Sequence, residues 1–129
     1  MTINITADVV REGLTALVEQ AGEDFVYKAP KGDGGYDRCV YVRDGKPDCI
    51  VGQFLANLGV PVERLQEADK GISSGSSAGQ LLGELRNEGV ITIAHDQNVV
   101  DALSEVQHRQ DNKSTWGNSV ESGLSYLRD

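Results

Sequence analysis

The stretch CVYVRDGKPDCIVGQFLANLGV, residues 39–60, decides the fold, because the hydrophobic pattern changes period inside it. Cys39 to Val42 have the β-branched and aromatic character of a strand, and Asp44-Gly45 marks a tight turn, since Gly accepts the positive φ that hairpin turns demand. Pro47 cannot donate to a ladder, so the returning arm is short or lies at an edge. From Ile50 the spacing becomes helical. Ile50, Val51, Phe54, Leu55 and Leu58 share one face of a short helix that Gly59 closes, with Val60 as its hydrophobic contact. A hairpin running straight into a helix predicts an α+β chain.

Both cysteines lie in this stretch, and the hairpin register sets their relation. A two-residue Asp44-Gly45 loop pairs Arg43 with Lys46, places Cys39 opposite Ile50 and Val40 opposite Cys49, and puts the thiols on opposite faces. A three-residue loop, Arg43 to Gly45, pairs Val42 with Lys46 and sets Cys39 directly across from Cys49. Pro47 fits a position without a ladder hydrogen bond in either case. The expectation is the three-residue loop, for which Asp then Gly is a favoured pair, with neighbouring thiols kept reduced in a cytoplasm. In that reading the cysteines are small buried packing residues where hairpin meets helix.

Outward from this stretch, residues 5–22 read as a helix with Val10, Leu14, Leu17, Val18 and Ala21 at helical spacing, Thr6 as N-cap, Ile5 packed back on Val10, and Gly22 as the stop. Phe25 to Tyr27 have strand composition. Beyond Pro61 a brief helix turns Val62, Leu65 and Ala68 inward, and after a Gly/Ser loop a further helix buries Leu81, Leu82 and Leu85 and stops at Gly89. Ile91 to Ile93 suit a short strand. A longer helix from Asp96 carries Val99, Val100, Leu103 and Val106, and a last one carries Trp116, Val120, Leu124 and Leu127. The pattern predicts one globular domain, residues 1–129, with a small antiparallel β-hairpin or three-stranded sheet packed against about five to six short helices.

At 129 residues, 39% hydrophobic and 25% charged, the chain is long and apolar enough to bury a core without metal or disulfide. Its net charge of -8, from 20 acidic against 12 basic residues, repels a phosphate backbone, so nucleic acid is not an expected partner. The acids are interspersed with Lys and Arg as on a solvated surface, which argues against DNA mimicry. No apolar run approaches the roughly 18 residues of a membrane span, and the opening MTINITADVVREG lacks a signal-peptide layout, so a cytoplasmic location without membrane contact is expected.

Candidate sites are few. The Gly/Ser loop, with Gly71, Ser73, Ser74, Gly75, Ser76 and Ser77, offers backbone N–H groups before a helix, as nucleotide loops do, but it lacks the lysine of a GxxxxGK[ST] loop, and Gly and Ser are what mobile connectors are made of. Cys39, Cys49, His95 and His108 could form a tetrahedral metal set, yet no two are spaced like a zinc knuckle, so neither metal nor other cofactor is expected. No GxSxG elbow or HExxH pair occurs. The remaining catalytic candidate is Cys49, whose thiolate a helix N-terminus would favour. Gln107, Gln110 and Asp111 continue a buried face where apolar residues belong, and their expected partners are free backbone groups at the start of the last helix. Trp116, the one tryptophan, suits the core better than an interface.

CVYVRDGKPDCIVGQFLANLGV and QHRQDNKSTWGNSV together resemble a recurring pattern of small actinobacteriophage proteins. Its parts are a Tyr-Val hairpin, Gly-x-Pro-x-Cys, an apolar Val-Gly helix ending in Leu-Gly-Val, and a terminal Gln-Asp then Thr-Trp-Gly segment. The two motifs span much of the chain from residue 36 on. The resemblance implies a phage gene product made inside an actinobacterial host, hence host cytoplasm, and it carries over no catalytic residue.

The leading expectation is therefore a non-enzymatic phage accessory protein that binds a host or phage protein, with homodimerisation through an edge hairpin as a related option. The alternatives are a small-ligand or nucleotide binder using the Gly/Ser loop, and an enzyme with Cys49 as nucleophile.

Overall fold

Thr6 turns the chain from strand into helix: its backbone is extended, φ -110° and ψ 169°, while its side chain accepts the Val9 N–H at 3.2 Å. In the computed structural model the described residues are 2–27, 42, 43, 45–71, 78–93 and 96–127. In chain order they form β1 (Ile3–Ile5), α1 (Ala7–Ala21), β2 (Val42–Arg43), β3 (Lys46–Pro47), α2 (Ile50–Asn57), α3 (Val62–Gly71), α4 (Ala78–Asn87), β4 (Ile91–Ile93), α5 (Asp96–Asp111) and α6 (Trp116–Leu124). A 3-10 turn, Ser125–Leu127, follows α6. The α+β class and the helix assignments stand as the sequence predicts them.

The strands differ from the expectation in pairing and place. The hairpin is antiparallel, but β1 and β4 form a separate parallel pair with Ile3, Asn4 and Ile5 opposite Ile91, Thr92 and Ile93. Among the described residues there is no three-stranded sheet. Ile5, Ile91 and Ile93 turn into the core, and on the solvent side the Thr92 hydroxyl donates to Asn4 Oδ1 at 2.9 Å. Phe25 to Tyr27 are not a strand: the Phe25 ring lies edge-on to Trp116, with centroids 4.6 Å apart, and the Tyr27 hydroxyl donates to Asp48 at 2.5 Å. Their aromatic content serves side-chain packing instead of a ladder.

The hairpin takes the two-residue loop, not the expected three-residue one: Arg43 pairs Lys46 and Val42 pairs Pro47, with Gly45 at φ 78°. Side-chain polarity explains the choice. This register sets buried Val42 beside half-buried Pro47 on the inward face and leaves Lys46 exposed, whereas the other would pair Val42 with Lys46. The Val42 and Pro47 pair is also a non-hydrogen-bonded one, so the missing proline N–H costs nothing. The expectation of neighbouring thiols falls on Cys39, which lies outside the described residues.

Three helices end alike. At α2, Gly59 N–H donates to Ala56 and Val60 N–H to Leu55; at α4, Gly89 donates to Arg86 and Val90 to Leu85; at α5, Lys113 donates to Gln110 and Ser114 to Arg109. Each is a Schellman motif with a left-handed residue beyond the helix, and Lys113 adopts it at φ 68° without being Gly.

α5 is the central element, packed on α6, α4, α2 and α1, with Val99, Ala102, Leu103 and Val106 buried. Burying each of the Val and Leu side chains among them is worth about 1.5–3 kcal/mol. α5 and α6 approach closely because Gly123 has no side chain: a Cβ there would overlap Val106 and lie 2.7 Å from the Ala102 carbonyl oxygen. Gln107 and Gln110 are buried on this helix as the sequence suggests. For Gln110 the expected partner at α6 is corrected, for its Oε1 accepts the N–H of Ile50, the first residue of α2, at 2.9 Å. The start of α6 is already satisfied by other groups, described below. The Asp111 side chain lies outside the described set.

Candidate docking site

The turn after α1 folds down onto the first turn of α6. Glu23 and Phe25 lend their carbonyl oxygens to the N–H groups of Gly117 and Trp116 at 2.9 and 2.8 Å. Thr115 extends its hydroxyl oxygen to the Asn118 N–H at 3.1 Å. The three leading donors of α6 are thus occupied within the chain. Gly117 permits the contact, since a Cβ on it would stand 2.8 Å from both the Cβ and the carbonyl oxygen of Glu23.

Beside this junction runs a groove of about 450 Å³ between α1 and α6. Thr15 and Val18 come from α1, spaced one turn apart; Val120, Glu121 and Leu124 come from α6 at the same helical spacing. Glu23 and Asp24 border it at the turn, and both are exposed, as is Glu121. Its lining is mixed: Val18 and Leu124, both half-buried, and buried Val120 are its apolar side chains, set among Thr15, Thr115, Asn118 and the acids. Among the described residues no basic one lines it. Among the described residues none of the three carboxylates has an ion-pair partner, whereas Asp8 pairs with Arg11, Glu67 and Glu88 with Arg64, and Glu105 with Arg109. A helix N-terminus commonly attracts anions, but here its N–H groups are taken and carboxylates occupy the field, so the groove favours cationic groups.

Next to Asp24, Phe25 and Val26 expose 40% and 36% of their surface.

A second depression, about 440 Å³, lies between α5 and the 3-10 turn and is lined by Asp101, Ser104, Glu105, His108 and Tyr126. Glu105 there accepts from the Ser122 hydroxyl at 2.6 Å and from Arg109 Nε at 2.8 Å. These two hydrogen bonds, Ser122 first, hold its carboxyl below the usual range. His108 is exposed beside Asn112, whose side-chain amide donates to the His108 carbonyl at 2.8 Å.

The sequence candidates fall elsewhere. Cys49 is the N-cap of α2, fully buried, with its Sγ accepting the Gly52 N–H at 3.5 Å. As placed, that thiol meets no solvent-borne substrate. Gly71 is the last residue of α3, and Ser73, Ser74, Gly75, Ser76 and Ser77 lie outside the described residues. His95, like Cys39, is outside them too, and among the described residues no three His, Cys, Asp or Glu side chains gather to hold a metal ion. Trp116 is 1% exposed and belongs to the core. No helix among the described residues is long and apolar enough to cross a membrane.

Glu23, Asp24 and Glu121 were not singled out by the sequence. They read there as scattered surface acids, and only the fold brings residues near 23 against residues near 121. In comparison with known proteins, the chain matches no family model, no curated protein and no solved structure.

Proposed function

We propose that the chain is a non-enzymatic phage accessory protein that works by docking on a host or phage protein in the cytoplasm of an actinobacterial host. The observation that carries this reading is the exposed Phe25 and Val26 pair, two adjacent apolar side chains held in a capped turn whose carbonyls anchor α6. An apolar anchor on a rigid support beside polar surface is what protein interfaces use, because burying it on a partner gains area without first ordering a loop. The resemblance of the two sequence motifs to small actinobacteriophage proteins supports the host assignment. The buried Cys49 thiol weighs against the nucleophile alternative.

The test is affinity purification of the tagged chain from actinobacterial lysate, followed by reconstitution with the purified partner. A one-to-one complex is expected, and Val26→Asp should weaken it by about tenfold or more. No stoichiometric partner, together with turnover of a small substrate by the chain alone, would overturn the proposal.

A further inference from the structure

We infer that the groove between α1 and α6 receives a basic amphipathic helix of the protein partner; the inference rests on the protein-docking reading above. Two ridges, Thr15 and Val18 on one helix and Val120 and Leu124 on the other, leave the kind of channel into which a third helix packs. Val18, Val120 and Leu124 are its apolar contacts. Around it stand Glu23, Asp24 and Glu121, unpaired among the described residues. Lysines or arginines flanking the apolar face of an incoming helix complete those three charges. An acidic helix meets repulsion at all of them, and the spent N–H groups of α6 offer an anion no compensating donors. The charge pattern thus selects the sign of the partner, and walls formed by two helices suit a third helix laid between them.

The groove also explains a division of labour between the carboxylates. Glu23 and Asp24 sit near the positive end of the α6 dipole and help hold that helix start, so they have a structural reason to be acidic. Glu121, in the middle of α6 and exposed, has none and reads as the charge kept for the partner.

The probe is a synthetic amphipathic helical peptide with one leucine face and lysines on the other, compared with the same peptide carrying glutamate for lysine. Added to the isotopically labelled full chain, the lysine peptide should shift amide resonances of Thr15, Val18, Glu121 and Leu124 and leave those of exposed acids on other helices, such as Glu63 and Glu84, in place. The glutamate peptide should shift none. Glu121→Lys with Thr15→Lys, both exposed groove positions away from the start of α6, should weaken the lysine peptide about tenfold or more. Shifts spread over the whole acidic surface, no response to the double variant, or a dimer of the chain sealing Val120 and Leu124 would each overturn the inference. If the double variant still captures the wild-type lysate partner at full strength, the groove assignment fails and protein docking stands. If wild type captures no partner and binds no peptide, both fail.

Discussion

Gln110, one residue from the end of α5, caps α2 from outside: its side-chain oxygen accepts the Ile50 N–H at 2.9 Å across a sequence separation of 60 residues. A buried polar side chain on an apolar helix face is thereby accounted for, because a helix start buried in the core needs acceptors for its free N–H groups. Replacing Gln110 by Leu keeps the volume and removes the acceptor. The expected loss is about 1–3 kcal/mol in urea unfolding, with faster hydrogen exchange at the Ile50 amide. Unchanged protection at Ile50 would show that this bond does not hold the helix start.

The same Gly→Ala change should act with opposite sign in two helices. At Gly123 the added methyl meets Val106 and the Ala102 carbonyl, so α5 and α6 must move apart, at about 1–3 kcal/mol. At Gly83, inside α4, nothing lies within 4 Å of the new Cβ, and the gain in helix propensity is about 0.5–1 kcal/mol. Thermal unfolding of the two variants checks the pair. A neutral Gly123→Ala would mean that the α5 and α6 contact is looser than described.

Acid should weaken the fold in part through Glu105. Its carboxyl is held below the ordinary value by the Ser122 hydroxyl first and Arg109 second, so the folded state binds its proton less readily than the unfolded chain. The resulting stability is present above the unfolded value, near pH 4, and is lost as pH falls through the lower folded value. Ser122→Ala removes the largest cause. Titration of the Glu105 carboxyl by NMR should then move upward toward the ordinary value, and an unmoved midpoint would remove Ser122 from the explanation.

Cys49 should resist alkylation in the native protein. With Cys39 replaced by Ser so that one thiol reports, iodoacetamide labelling should run far slower than for a free thiol and should rise in step with urea unfolding, since Sγ is buried. Rapid labelling under native conditions would reopen the nucleophile reading.

The local features were legible in the sequence and the long-range ones were not. Thr6, Gly22, Gly59 and Gly89 act within four residues of themselves, and the structure finds each at the helix end where spacing puts it. The strand composition of Phe25 to Tyr27 misled because the same aromatic residues serve Trp116 and Asp48 as packing and hydrogen-bond partners. Gln110 was recognised as an anomaly but assigned the nearest helix start, whereas the open one belonged to α2. The hairpin register turned on which of Lys46 and Pro47 shares a face with Val42, a question of burial. The groove left no linear signal: Val18 and Glu121, about a hundred residues apart, line it together beside the junction where the turn at Glu23 is seated on Gly117.

The parallel pairing of β1 with β4 fixes an order of events during synthesis. Asn4 meets Thr92 across 88 residues, so Ile3 and Ile5 leave the ribosome long before their partners exist. At ordinary elongation rates the interval is roughly 5–20 s, during which α1 is present and an apolar segment ahead of it has no strand to join. Drawing so long a loop closed costs about 4 kcal/mol in chain entropy, and that cost falls on the step that seats β4. A strand translated well before its partner is thus secured late, and the unpaired isoleucines are the nascent chain's exposure to misassociation until Ile93 arrives.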